Sequence, residues 1–206
     1  NMFGIKEFAD AANKYNGKIK DKIKEQEKIL NNEESTDSQK DDASVEIDIL
    51  KKKMFKPIFG MEAYCAPVSI DKRDGRADRG YHLIILAKNK QGYKNLCKLS
   101  SIAYIDGYYY NPRIDHSLLE KYHEGLIICS ACLGGELPQK IMNADIEGAE
   151  KSLLWFKNLF GEDYYIEIQR HKTDKPNADQ EVFERQQEVN KVLVELARKT
   201  NTEIVA

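Results

Sequence analysis

The sequence is short of several things, and each shortage closes a class of function. No apolar run is long enough to span a bilayer, so no membrane-spanning helix is expected within these residues, and they show no signal-peptide pattern. There is no excess of positive charge: 32 Lys and Arg against 34 Asp and Glu leave a net charge of -2, without the basic field that grips nucleic acid unaided. There is no second C-x-x-C. Of the four cysteines, Cys65, Cys97, Cys129 and Cys132, only the last two form such a pair, which excludes a zinc ribbon. Free thiols in a reducing cytoplasm are the natural expectation. Neither G-x-G-x-x-G nor G-x-x-x-x-G-K-[ST] occurs, so the usual dinucleotide and P-loop phosphate sites are absent.

What remains is a chain of 206 residues, 41% hydrophobic and 32% charged, enough for one sizeable core and a heavily solvated remainder. Residues 3–15 have helical periodicity through Phe3, Ile5, Phe8, Ala11 and Ala12. Residues 17–55 change composition to Lys, Glu, Asp, Asn and Ser. Ile19, Ile23 and Leu30 form one narrow stripe, and Ile47, Leu50 and Met54 another, which predicts a charged helical hairpin inserted into the domain. The polar stretch at 31–44 is read as its mobile tip, with a plain disordered loop as the alternative.

Beyond the insertion the period changes. KPIFGMEAYCAP is a strand bracketed by Pro57 and Pro67, VSIDKRDGRADRG a loop, and YHLIILAK a strand buried on both faces. Asn89 caps a helix reaching about Tyr104, DGYYYNPRID is a loop, and Asp115 caps the short helix HSLLEKYH. GLIICSAC is a strand, two helices cover about 134–161, YYIEIQ is a strand, 177–201 a long amphipathic helix, and TEIVA one more strand. Alternation of strand and helix predicts an α/β architecture around a parallel sheet, either doubly wound or a barrel of βα units. The chain starts inside one element and stops inside another, which reads as a domain cut at both ends.

Candidate chemistry lies at strand ends. Glu62 sits in GMEAY, His82 opens YHLIILAK, Cys132 follows GLIICSA, and Glu167 and His171 flank the end of YYIEIQRH. A carboxylate, an imidazole and a thiolate are all competent zinc ligands, and a βα barrel brings strand ends together. Taken singly, each has a plainer reading: a surface glutamate, a hydrogen-bonded histidine, a buried thiol. His116 and His123 read as surface-helix residues. Tyr108, Tyr109 and Tyr110 read as loop anchors rather than base-stacking rings. Gly134 and Gly135 have backbone N–H groups able to face an anion, but an ordinary strand-to-helix turn needs glycine too.

GLIICSACLGGELPQKI resembles the S-x-C-L-G-G-E segment of the PHP (polymerase and histidinol phosphatase) domain of bacterial DNA polymerase III alpha subunits. YHLIILAKNKQGYKNLCKLSSIAY, GYYYNPRID, KPIFGMEAY, YYIEIQRH and the opening NMFGIKEF resemble further blocks of that family, in family order, over nearly all of the chain outside the insertion. The resemblance implies a distorted barrel of seven βα units, here incomplete at both ends, spanning 1–206 with the 17–55 insertion within it. It implies that Glu62, His82 and Cys132 take the places of three metal ligands in a site of about nine side chains binding zinc or manganese. The family's H-x-H, T-D-H-G and N-D-x-H ligands have no counterpart within these residues, so binding by this chain is expected to be weak or absent.

The function implied is that of a domain of the replicative polymerase, a nucleotidyltransferase whose polymerising residues lie outside this chain. The domain is either a metal-dependent 3′–5′ exonuclease or a scaffold that docks a proofreading subunit, with DNA reached through the full-length polymerase. No residue here is assigned a catalytic role, and none a nucleic-acid contact. The alternatives are a free-standing phosphoesterase of the histidinol phosphatase kind, which usually carries His in place of Cys132, and a helical interaction module built on 17–55.

Overall fold

A computed structural model describes residues 2, 4–175 and 181–206. Its contacts divide the chain into two compact units, residues 3–58 and residues 1–2 with 59–206.

The first unit is an antiparallel pair of helices, α1 (Ile5–Leu30) and α2 (Asp37–Lys53). α1 runs unbroken through Gly17, so the expected boundary between a first helix and the insertion does not exist. Its buried positions Ala12, Ile19 and Ile23 continue one stripe, and Ile19 and Ile23 cluster with Ile47 and Leu50 of α2. A continuous stripe outweighs the cost of about 1 kcal/mol for one helical glycine. The expected mobile tip is shorter than the composition suggests. Thr36 and Gln39 form a reciprocal capping box, with Asp37 in the first turn and Lys51, Lys52 and Lys53 in the last, so residues 37–44 are helical. Asn16 pins the far end, accepting the Phe55 N–H at 2.8 Å and donating to its carbonyl at 2.6 Å.

The second unit is a six-stranded mixed sheet with helices. Its strands are β1 (Gly60–Cys65), β2 (Tyr81–Ala87), β3 (Arg113–Ile114), β4 (Leu126–Cys129), β5 (Tyr164–Glu167) and β6 (Glu203–Val205), in the order β3-β1-β2-β4-β5-β6. Its helices are α3 (Lys90–Ile105), α4 (His116–Tyr122), α5 (Glu136–Met142), α6 (Ile146–Phe160) and α7 (Glu181–Thr200). Asn89 and Asp115 cap α3 and α4 through their side chains, as expected, and Asp145 caps α6 in the same way. Residues 177–180 of the last expected helix lie outside the described residues.

Two features depart from the expected parallel barrel. β2 is antiparallel to both of its neighbours, β1 and β4, whereas β1–β3, β4–β5 and β5–β6 are parallel. Residues 66–80 join β1 to β2 without a long crossover helix, and only a crossover of that kind returns a chain parallel to its neighbour. Among the described residues the sheet is open, with β3 and β6 at its edges. β3 itself was read as loop; it is two residues long, too short to leave a periodic signal.

One face of the sheet presents Met61, Ala63, Cys65, Leu83, Ile85, Leu126, Ile128, Tyr164 and Ile166 to a single core, shared with Leu96, Leu99, Leu137, Leu153, Phe156 and Leu193 from the helices. Strand alternation sends Glu62, Tyr64, His82, Ile84, Cys129, Tyr165 and Glu167 to the other face. Because β2 is reversed, its amino end lies at the same rim as the carboxyl ends of β1, β4 and β5. That reversal brings the residue that opens β2 to the rim where β4 and β5 finish.

Candidate metal centre

Glu62, His82 and Cys132 meet at that rim. Their ligand atoms all lie within 4.8 Å of one another. His82 Nδ1 stands 2.7 Å from Glu62 Oε1 and 3.3 Å from Cys132 Sγ, so the carboxylate and the sulfur converge on the same ring nitrogen. One proton on Nδ1 serves both only as a divided three-centre bond, whereas a cation accommodates all three donors. Around a tetrahedral ion with zinc-like bond lengths, nitrogen and sulfur stand about 3.5 Å apart, close to the spacing found, and nitrogen and oxygen about 3.3 Å apart, so the Glu62 carboxylate must draw back from the imidazole to share an ion. The side chains of Glu62 and His82 are 49% and 32% exposed, so an ion and its water can enter. Carboxylate, imidazole and thiol are a donor set suited to zinc and to related divalent ions.

Each arm of the triad is locally determined. Glu62 follows from β1 alternation, opposite Ile84. His82 pairs with Tyr64, whose ring meets the imidazole edge-on at 5.0 Å. Cys132 depends on a turn. Ala131 adopts a left-handed conformation at φ 62, which bends the chain out of β4. Ser130 ties the turn to β5 by donating its N–H to the Tyr165 carbonyl and accepting the Glu167 N–H on its hydroxyl.

The two glycines then complete the turn. The Gly134 N–H points to Cys132 Sγ at 3.4 Å, and the Gly135 N–H closes on the Cys132 carbonyl at 2.8 Å. Both donors are used inside the turn, so the ordinary-turn reading holds over the anion reading. Gly134 also has a steric role that sequence reasoning missed. Its carbonyl accepts the His82 N–H, and a Cβ there would fall 2.9 Å from His82 Cγ. The imidazole is placed against bare backbone.

The other sequence candidates are occupied elsewhere. His171 is bracketed by Gln186, which accepts its N–H at 2.7 Å and meets its Nδ1 at 2.8 Å. His123 Nδ1 lies 2.7 Å from the Glu120 carbonyl. Tyr109 anchors its loop by accepting the Gly75 N–H and facing the Arg113 guanidinium, whereas Tyr108 and Tyr110 are exposed. Cys129 is buried, and burial, with the Glu167 charge added, pushes its thiol up to about 11, which leaves it an inert core group.

His116 is half-buried rather than a free surface residue. It stacks on Trp155 at 3.8 Å and meets buried Glu136 at 3.2 Å. Glu136 also accepts from Lys140 at 2.8 Å and from Ser152 at 2.5 Å, joining α4, α5 and α6 directly behind the Cys132 turn. Burial pushes this carboxyl up, but the bonds from His116, Lys140 and Ser152 outweigh it and hold the group down at about 2. A folded value below the unfolded one adds stability that is present above about pH 4.5 and is lost as pH falls toward 2. The gap corresponds to about 3 kcal/mol. Urea unfolding of Glu136→Gln is therefore expected to show a flatter loss of stability between pH 5 and pH 2 than the unmodified chain, and a similar slope would contradict the assignment. The sequence signal was available in the Glu136–Lys140 spacing of i, i+4 at the start of a helix; the partner Ser152 was not.

The sequence pattern of the PHP domain family matches residues 1–171. The chain belongs to the PHP domain family. Among curated relatives, it is 48% identical over 158 residues to the DNA polymerase III subunit alpha of Borreliella burgdorferi, a match covering 76% of this chain and 13% of that protein. It is 41% identical over 164 residues to the subunit of the same name from Aquifex aeolicus, and 43% identical over 154 residues to that of Thermus aquaticus. These matches cover 76% and 73% of the chain but only 13% and 12% of those proteins. The PHP chain thus spans about an eighth of the length of these relatives. Among the described residues no helix is long and apolar enough to cross a membrane.

Proposed function

We propose that this PHP chain is part of a replicative DNA polymerase III alpha subunit and that Glu62, His82 and Cys132 are divalent-metal ligands of a phosphoesterase-type site within it. The carrying observation is the convergence of three donors, drawn from β1, β2 and the turn after β4, within 4.8 Å. Kinship with polymerase subunits at 41–48% identity supports the larger protein. The open sheet is read as one part of a distorted barrel, with the half-buried Ile84 and Tyr165 facing its interior. A bound divalent ion supplies a lowered water pKa and charge stabilisation at a phosphate. The chain's own contribution is to hold its donors: Tyr64 and Gly134 fix the imidazole, and the Ala131 turn delivers the sulfur.

With three protein donors and an open approach, binding to the 206-residue chain is weak; tight stoichiometric zinc would overturn that expectation. In the full-length polymerase the reading favours metal-dependent 3′–5′ exonuclease activity over a bare scaffold, because all three donors are present and preorganised. Docking of a proofreading subunit and a cytoplasmic location accompany the polymerase assignment. A free-standing phosphoesterase is disfavoured by Cys132 and by the kinship above.

The test is a 3′–5′ exonuclease assay on the full-length polymerase. Glu62→Ala and Cys132→Ala are expected to lower the rate by at least about 100-fold, exceeding the 10–100-fold typical of residues one step removed from a metal, while nucleotide incorporation is retained. Unchanged excision would leave the domain as a scaffold.

A further inference from the structure

Glu167 is absorbed by nothing described so far, yet the fold holds it beside the triad. Strand register places it. Glu62 pairs with Ile84, Ile84 with Cys129, and Cys129 with Tyr165, so these four residues form one row across the sheet. His82 lies two residues from Ile84, and Glu167 two residues from Tyr165, in the same direction because β2 is reversed. Alternation puts both on the triad's face and at the triad's rim. The Cys132 turn lies between them.

The carboxylate is held in place. The Glu167 N–H donates to Ser130 Oγ at 2.9 Å, so its backbone is tied to the turn that carries Cys132. Its Oε1 accepts from Gln169 Nε2, and the Gln169 carbonyl accepts from Asn190 Nδ2 at 2.9 Å. Gln186, only 3% exposed, fixes the segment further on through His171. Cys132 and Glu167 line one cavity of about 10 Å³ together with Gln169, Gln186 and Asn190. The rest of the lining is apolar, from Ala131, Leu133, Pro138, Val189 and Leu193, so the carboxylate and the thiol share a small, closely packed space. Glu167 stands outside the set of donor atoms that lie within 4.8 Å of one another, which separates it from the direct ligands.

We infer that Glu167 is a positioning residue of the metal centre, acting on Cys132 through the Ser130 turn and adding a negative charge that favours a divalent cation at the triad. The inference rests on the ligand reading proposed above. Residues that sit behind metal ligands orient them and tune their affinity, and their loss typically costs about 10–100-fold. A plain structural role, as a partner for Gln169, makes a different prediction. Glutamine keeps an oxygen for Gln169 and removes only the charge, whereas aspartate keeps the charge.

The experiment is a Co²⁺ titration of the 206-residue chain, followed by the sulfur-to-cobalt charge-transfer band, with thermal unfolding of the metal-free protein measured alongside. Glu167→Gln is expected to raise the Co²⁺ dissociation constant by about 10-fold or more. The band shape and the metal-free unfolding temperature are expected to stay unchanged, and Glu167→Asp to recover part of the affinity. An unchanged dissociation constant in Glu167→Gln, with a normal band in the unmodified chain, overturns the role of Glu167 alone. So does a fall in unfolding temperature that Glu167→Asp does not reverse. No charge-transfer band in the unmodified chain at saturating Co²⁺ overturns the ligand reading, and this inference with it.

Discussion

Replacing Arg113 with alanine is expected to destabilise the second unit by about 3–5 kcal/mol, more than any other single polar substitution in it. The guanidinium is fully buried. Its Nε donates to the Gly107 carbonyl at 3.0 Å, Nη1 to those of Lys72 and Asp78 at 3.0 and 2.6 Å, and Nη2 to that of Ile70 at 2.6 Å. One side chain therefore satisfies four carbonyls from residues 70–78 and 107, which have no strand ladder to serve them. Its other contact is the Tyr109 ring, 5.1 Å from the guanidinium carbon. Removing it strands the buried members of that set and unties the long β1–β2 loop that leads into His82. For a chain of this size the loss corresponds to roughly 10 °C in Tm. Arg113→Lys keeps the charge but not the planar fork, and is expected to recover less than half of the loss. Thermal and urea unfolding of the two variants check this; a loss below about 1 kcal/mol for alanine would show that water replaces the guanidinium.

The second large effect concerns metal affinity. Cys132→Ser and His82→Ala are each expected to lower divalent-metal affinity by at least about 100-fold, because each removes a direct donor rather than a residue behind one. The two should differ in their side effects. His82 packs against Gly134 and Tyr64, so its removal loosens the turn as well. Cys132→Ser leaves the turn's backbone bonds in place. Calorimetric Zn²⁺ titration with unfolding controls separates the two. Equal affinity in Cys132→Ser and the unmodified chain would remove the sulfur from the site.

The legible part of the molecule was what periodicity and local chemistry encode. The caps at Asn89 and Asp115 could be read because a polar residue directly precedes an apolar repeat. β2 and β4 could be read because their apolar runs are short and continuous. The convergence of Glu62, His82 and Cys132 could be anticipated from strand ends and the motifs around them. The direction of β2 was available but overlooked: residues 68–80 read as a loop with no crossover helix, which already sets β2 antiparallel to β1, and the strand–helix alternation elsewhere masked it. Gly134's contact with the imidazole and the pairing of Glu136 with Ser152 were hidden for a different reason: each is a meeting between segments distant in sequence. Arg113 was invisible because a buried arginine reads as a surface one until its carbonyl partners are placed. The helical insertion misled in the other direction. Its polar composition suggested a loose tip, and a capping box of two residues overrode it.

The central claim, that an acid, an imidazole and a sulfur far apart in sequence share one ion, is tested most directly by X-ray absorption at the zinc edge of the metal-loaded chain. The account predicts one sulfur at about 2.3 Å with nitrogen and oxygen neighbours at about 2.0–2.2 Å, and no sulfur in Cys132→Ser. A first shell of nitrogen and oxygen alone in the unmodified chain, or a sulfur that survives the substitution, would contradict it.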